Sequence, residues 1–540
     1  MGTFKKSFFI LLIFLLFSPS IFSQEECTTA VISGSATVDG RPLLWKNRDV
    51  DNPDNEVVYI TGGKYEVVGV ITANNTLSMW MGINSAGFAI ENSVSYDLEG
   101  TSSADNGTFM KQALLNCATV DEFEQLLIDT NNPGRATKAN YGVIDATGNA
   151  AVFEAGNHTY TRFDANNPAQ APLGFIVRTN FALTGDGTGS GYERYDRANA
   201  LLNEKAITSE ISFDYILRKL SRDLKNDAVN PYPLPYEGTQ DGHPAGYIRT
   251  NYSINRYRTR SCAVFQGVLP GEDPRLSTMW VILGEPVCGV AVPVWVFAGT
   301  TPPEMNGLPT SPMCDLSQQK KQLCYTDTSA DPLSYQYINT YALDDGAGGG
   351  IFSYSFPIED WAITQATTAL NSWRTSFPTA RDMKDFEYRL IAQTYCSFLT
   401  SSPPNDTAPP LNFSVRTVLN RSLSQAEYIN VLTWEPNPEN SGITAYRIYL
   451  VEGESRTRLA EVNPGNIEYW HRDVDPSRQY FYSIAAVDAQ NLEGSPACSA
   501  VSRVTERENR EDIYTGQSIR KRGKKVNHSP QPGAVSKKDR

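Results

Sequence analysis

The run SSPPNDTAPP, residues 401–410, divides this chain, because proline and small polar residues continue neither a helix nor a strand. What folds before it must be separate from what folds after it. Upstream, short alternating runs such as AVISGSATV, VVYITGG, YEVVGVIT and YGVIDATGNAAVFEA read as strands joined by Gly, Asn and Asp turns. Apolar residues at helical spacing are interspersed over residues 110–129, 194–205 and 211–224. Strands, then helices, then strands again fit an α+β layered domain. Downstream, YINVLTWEP, ITAYRIYLVEG and QYFYSIAAVDA alternate at the spacing of a small all-β sandwich, with Trp434 set to fill its core.

The other constraint is at the N-terminus. Residues 1–23 read as an export signal, with Lys5 and Lys6 ahead of an apolar run over residues 8–17 that is too short to span a bilayer. Cleavage before Gln24 leaves residues 24–26 as a short propeptide ahead of Cys27. A second, autocatalytic cleavage would then give Cys27 both a thiol and a free α-amine. A lipid-anchored cysteine is the competing reading, and bulky, acidic Glu26 argues against it. The net charge of -13 argues against a nucleic-acid footprint, since such a surface repels phosphate, and the basic C-terminal run does not overturn that.

The eight cysteines of an exported chain suit disulfides, and Cys314 with Cys324 is the expected local bridge. No cysteine spacing resembles a zinc site. A cysteine nucleophile needs a base, yet only four histidines exist and His158 and His243, the two in the first block, sit in no context that suggests a Cys-His pair. A processed Cys27 removes the difficulty, because an α-amine with a pKa of about 7.7–8.0 can take the thiol proton itself.

The stretch from Cys27 to Asp49 resembles the start of N-terminal-nucleophile (Ntn) hydrolases of the group holding penicillin V acylases, bile salt hydrolases and acyl-CoA:6-aminopenicillanic acid acyltransferase. The matching residues are Cys27-Thr28-Thr29, the Asp39-Gly40 turn and Lys46-Asn47-Arg48-Asp49. Weaker matches follow at residues 82–87, Asn92, residues 141–145, Arg178-Thr179-Asn180 and Arg194-Tyr195-Asp196-Arg197. The resemblance implies an αββα sandwich and cleavage of a linear amide through a thioester on Cys27. It implies that Asp49 steadies the Cys27 amine or thiol. Lys46, where the family commonly has Arg, would lower the thiol pKa and position the substrate carbonyl, but without a bidentate grip. Asn92 and Asn180 would hold the oxyanion and the amine, and either Arg194 or Arg197 would be a later catalytic arginine.

No metal or organic cofactor is expected, and the expected partner is a small-molecule acyl amide. Residues 409–504 resemble a fibronectin type III module, with Tyr480 as the tyrosine-corner candidate and a cell-surface or glycan contact as its role. The expected organisation is signal 1–23, propeptide 24–26, Ntn-like domain 27–400, linker 401–408, all-β module 409–504 and a charged, disordered tail 505–540. An Ntn-type dipeptidase is the near alternative. A catalytically silent exported binding or adhesion protein is the alternative of another class.

Overall fold

The structure is a computed structural model that describes residues 26–101, 106–307, 311–421, 426–452 and 455–501. The expected export signal, Gln24, Glu25 and the expected tail 505–540 lie outside the described residues. Contacts divide the chain into two units, Met1–Pro403 and Pro404–Arg540. No described helix is long and apolar enough to cross a membrane.

The first unit contains two large antiparallel sheets. In one, the strands Phe175–Arg178, Glu26–Ile32, Leu43–Asp49, Thr259–Gln266, Thr278–Leu283 and Val292–Val294 lie side by side in that order. The other is a seven-stranded meander running in chain order from Asn55–Ile60 to Tyr160–Asp164. Glu26–Ile32 and Leu43–Asp49 pack on Ala89–Val94 of the meander. Alternation along a strand sends successive side chains to opposite faces, and Leu43–Asp49 uses both. Leu43 and Trp45 join Ala198 and Leu202 of helix Tyr192–Ala206, Ala362 and Ala366 of Phe352–Thr375, and Met383 and Leu390 of Ala380–Thr400 in one core. Lys46 points the other way and reaches Asn92 on the meander.

Trp45, Trp280 and Trp295 are all fully buried in that outer core, and each aromatic side chain of this size removes roughly 150–250 Å² from water. The outer face of the meander packs Phe88, Tyr141 and Phe153 against Phe109 and Phe123 from the helices Asn106–Asn116 and Val120–Asn131. Helices therefore cover the outer face of each sheet, giving αββα layers.

The single helix expected over residues 110–129 is two. Asn84 Nδ2 donates to the carbonyls of Leu114 and Cys117, at 2.8 and 2.7 Å, and so satisfies the end of the first helix. Thr119 then caps the second by accepting from Glu122 N. Within residues 211–224 the helix is short, Phe213–Tyr215, and passes into a π-helical turn, Ile216–Leu220. The expected Cys314–Cys324 bridge does not form. Both residues sit on the helix Pro312–Cys324, whose rise of about 1.5 Å per residue keeps them too far apart. Cys314 Sγ contacts the Pro53 carbonyl instead, at 3.4 Å, and Cys324 faces Cys288.

The second unit is all-β. Leu411–Arg421, Ala426–Glu435 and Glu468–His471 form one sheet, and Ser455–Val462, Ala445–Glu452, Tyr480–Val487 and Ala497–Val501 the other. Trp434, Leu432, Tyr446, Ile448, Tyr482 and Ile484 fill the space between them. The Tyr480 hydroxyl accepts from Asp475 N at 2.9 Å.

Candidate active site around Cys27

Cys27 is fully buried near the start of its strand, paired with Arg48 across the ladder, while Glu26 pairs with Asp49. Its main chain is gripped on both sides. Cys27 N donates to Asn180 Oδ1 at 3.0 Å, and Arg194 Nη1 donates to the Cys27 carbonyl at 2.7 Å. The same Arg194 reaches Thr28 Oγ1 at 2.9 Å and, through Nη2, Asn180 Oδ1 at 2.9 Å. Two donors converge on Asn180 Oδ1, so the amide orientation is set, and Nδ2 donates to the Val94 carbonyl at 2.9 Å. Asn180 is therefore the acceptor for the Cys27 nitrogen. One N–H of its Nδ2 is engaged by Val94.

Of the two arginines that the sequence left open, Arg194 is the one that reaches Cys27. Arg197 is one helical turn further on, where Nε and Nη2 grip Asp223 at 2.9 and 2.6 Å. It lines a cleft of about 560 Å³ with Arg218, Tyr232 and Phe356. That cleft includes none of Cys27, Asp49, Asn92 or Asn180.

Asp49 is tied to the cations around Cys27. Its Oδ1 accepts from Thr259 Oγ1 at 2.7 Å, Arg256 Nη1 lies 3.4 Å from Oδ2, and Arg194 Nη1 lies 3.9 Å from Oδ2. Burial raises its carboxyl above the usual range, against the pull of Arg256 and Arg194. Burial likewise lowers the Arg194 guanidinium, and Arg256 beside it adds to that shift. Glu26 is ion-paired to Arg256. Burial would raise its carboxyl, but Arg256 and Arg194 outweigh this and hold it below the usual range.

Lys46, fully buried, donates to Asn92 Oδ1 at 2.7 Å and to the Trp80 carbonyl at 3.0 Å. Because the ammonium only donates, it fixes Oδ1 as the acceptor end of Asn92. Asn92 Nδ2 is then a buried donor with no partner among the described residues. An amide N–H left unpaired in the interior costs free energy unless something arrives to accept from it. Neighbouring Glu91 is also fully buried, and burial pushes its carboxyl well above the usual range despite Lys46.

Other sequence candidates hold the scaffold. Asn47 Nδ2 clamps the carbonyls of Ser221 and Ile254 at 2.9 and 3.2 Å. His158 Nδ1 bonds the Asn131 carbonyl, and His243 pairs with Asp327 and Asp331. Three site residues escaped the sequence: Arg256 in the loop before strand Thr259–Gln266, Thr259 at its start, and Glu91. Thr259 had a signal, since a strand paired with Leu43–Asp49 must place some residue opposite Asp49.

Residues 36–230 match the family model described as acyl-coenzyme A:6-aminopenicillanic acid acyl-transferase. Over that stretch the first unit is similar to a family of the Ntn-hydrolase group. The match spans Lys46, Asp49, Asn92, Asn180, Arg194 and Arg197, and opens downstream of Cys27. No curated protein sequence matches the chain. Among solved structures, a variant of conjugated bile acid hydrolase from Clostridium perfringens is 14% identical, covering 48% of this chain and 89% of its own at a TM-score of 0.30. Penicillin V acylase from Agrobacterium tumefaciens is 17% identical, covering 50% of this chain and 85% of its own at 0.29. A protein described as FN3tt mut is 19% identical over 18% of this chain and 93% of its own, at 0.15. The Ntn amidases and acyltransferases act on carbon–nitrogen bonds.

Proposed function

We propose that this chain is an exported amidohydrolase or acyltransferase whose nucleophile is an N-terminal Cys27, cleaving a linear, non-peptide amide through a thioester. The observation that carries the reading is the two-sided grip on the Cys27 main chain, Asn180 Oδ1 on the nitrogen and Arg194 on the carbonyl. In the precursor that nitrogen is the peptide nitrogen joined to Glu26. Attack of Cys27 Sγ on the Glu26 carbonyl moves the propeptide from nitrogen to sulfur, and water then releases it as a carboxylate. The nitrogen that remains is a primary amine in the same place, already facing its acceptor.

That amine takes the thiol proton as sulfur attacks the substrate carbonyl, and returns it to the leaving amine as the carbon–nitrogen bond breaks. Asn92 Nδ2, oriented by Lys46 and otherwise unpaired, donates to the developing oxyanion. Asp49 acts at one remove, keeping the Arg194 and Arg256 guanidinia charged and in register. Water or a second amine resolves the thioester. In the same reading the second unit is a fibronectin-like accessory that contacts a cell surface or glycan, and nucleic acid is not a partner.

The test is to incubate the mature protein with a panel of acyl p-nitroanilides, trap the intermediate with acid and map it by mass spectrometry. An acyl adduct on the Cys27 thiol supports the reading. Turnover without any adduct, together with undiminished turnover in Cys27→Ala, refutes it and leaves the first unit as a silent scaffold.

A further inference from the structure

The ion pair between Glu26 and Arg256 bears on what the enzyme takes as substrate, and the argument rests on the maturation reading above. During maturation the acyl group carried by Cys27 Sγ is the propeptide, and its carbonyl carbon belongs to Glu26. In turnover the same sulfur carries the substrate acyl group. Whatever follows the carbonyl in the substrate therefore enters the space that the Glu26 side chain leaves.

That space is lined by charge. Arg256 is 4% exposed, and its Nη2 is anchored on Asn251 Oδ1 at 2.8 Å while its Nε has no partner among the described residues. Its main-chain nitrogen is fixed on Thr259 Oγ1 at 2.9 Å. Arg194 acts on Glu26 as well. Arg258, the third cation near Glu26, is engaged by Asp51 at 2.8 Å. Once Glu26 departs, the two buried guanidinia of Arg194 and Arg256 share a single buried carboxylate, Asp49. A buried cation stripped of its partner is strongly unfavourable, so the vacated position calls for an anion.

We infer that Arg256 is a specificity residue that receives a carboxylate at the far end of the substrate acyl chain, in the place held before maturation by the Glu26 side chain. The length follows from Glu26 itself. Its carboxylate is separated from the acyl carbon by Cα, Cβ and Cγ, the spacing of a glutaryl group. The substrate class is thus an amide of a short dicarboxylic acid, or of glutamate acylating through its α-carboxyl.

The experiment uses the mature wild-type protein with glutaryl-p-nitroanilide and pentanoyl-p-nitroanilide, which differ only in a terminal carboxylate against a terminal methyl. One charge-assisted bond to a buried guanidinium predicts kcat/KM at least about tenfold higher for the glutaryl compound. Arg256→Met should erase the preference and Arg256→Lys should restore part of it. Should neither variant fold, free glutarate should still inhibit the wild type at least about tenfold more strongly than pentanoate, by the same bond. Equal or better turnover of the pentanoyl compound overturns the inference while leaving the Cys27 mechanism standing. Preference for a carboxylate only on the leaving amine, tested with N-pentanoyl-4-aminobenzoate, overturns the placement of Arg256 on the acyl side. A protein that neither matures nor cleaves any of these removes the functional reading itself, and the inference with it.

Discussion

Exchanging each of two arginines for lysine separates the residue that serves the site from its neighbour on the same helix. Arg194 spans the site with two nitrogens, Nη1 on the Cys27 carbonyl and Thr28 Oγ1, and Nη2 on Asn180 Oδ1. A lysine carries all its donors on one atom and cannot cover both sides. Arg194→Lys keeps the charge that Asp49 needs but loses at least the bond to one side. A charge-assisted hydrogen bond in a buried site is worth about 1.5–3 kcal/mol, which is about 10- to 150-fold in kcat/KM if the bond is held through the transition state. Arg197→Lys also keeps its charge and gives up one of two bonds to Asp223, but the side chain is 20% exposed and lies off the site. Its kcat/KM should stay within about threefold of wild type, given screening at that exposure. The assay is steady-state turnover of a chromogenic acyl anilide, normalised to the mature fraction measured by intact mass. If Arg194→Lys stays within threefold of wild type, or Arg197→Lys falls as far as Arg194→Lys, the assignment is wrong.

Three further outcomes follow from the same geometry. Asn92→Leu removes the unpaired donor and should lower kcat by about 10²–10³-fold with KM little changed; an unchanged kcat would take the oxyanion role away from Asn92. Glu26→Lys sets a cation against Arg256 and Arg194 and should slow propeptide release at least about tenfold, the cost of a close like-charge contact; maturation at the wild-type rate, followed by mass over time, would count against the ion pair as a positioning device. Glu387 is fully buried with Trp295 N as the donor to Oε2, and burial pushes its carboxyl well above the usual range. A carboxyl raised in the folded state contributes stability at pH below its unfolded pKa of about 4.3, lost at up to about 1.4 kcal/mol per pH unit as pH rises toward the folded value. Glu387→Gln should therefore flatten the fall in Tm between pH 5 and 7; an equal slope in both proteins would show that Glu387 is not the source.

The layered α+β architecture was legible because alternation along a strand and the change of pattern past residues 401–410 are local signals. The break at Cys117–Thr119 was not, since it depends on Asn84 reaching across from another strand to take two carbonyls. The Cys314–Cys324 pairing failed because nearness in sequence is not nearness on a helix. Cys27, Asp49, Asn92 and Asn180 were named through the family pattern, but that Lys46 meets the oxygen of Asn92 while Arg194 and Cys27 N meet the oxygen of Asn180 depends on tertiary contacts. Arg194 and Arg197, three residues apart on one helix, share a face in sequence terms, and only the tertiary partners tell them apart. Arg256 lies in a loop with no periodicity, so nothing in its surroundings in the sequence marks it.

The most direct test is the N-terminal sequence and intact mass of the purified protein beside those of Cys27→Ala. The account predicts a wild-type chain beginning at Cys27 and a variant that retains Gln24-Glu25-Glu26. A wild-type chain that still carries Glu26 ahead of Cys27 would leave the nucleophile without its base and contradict the account.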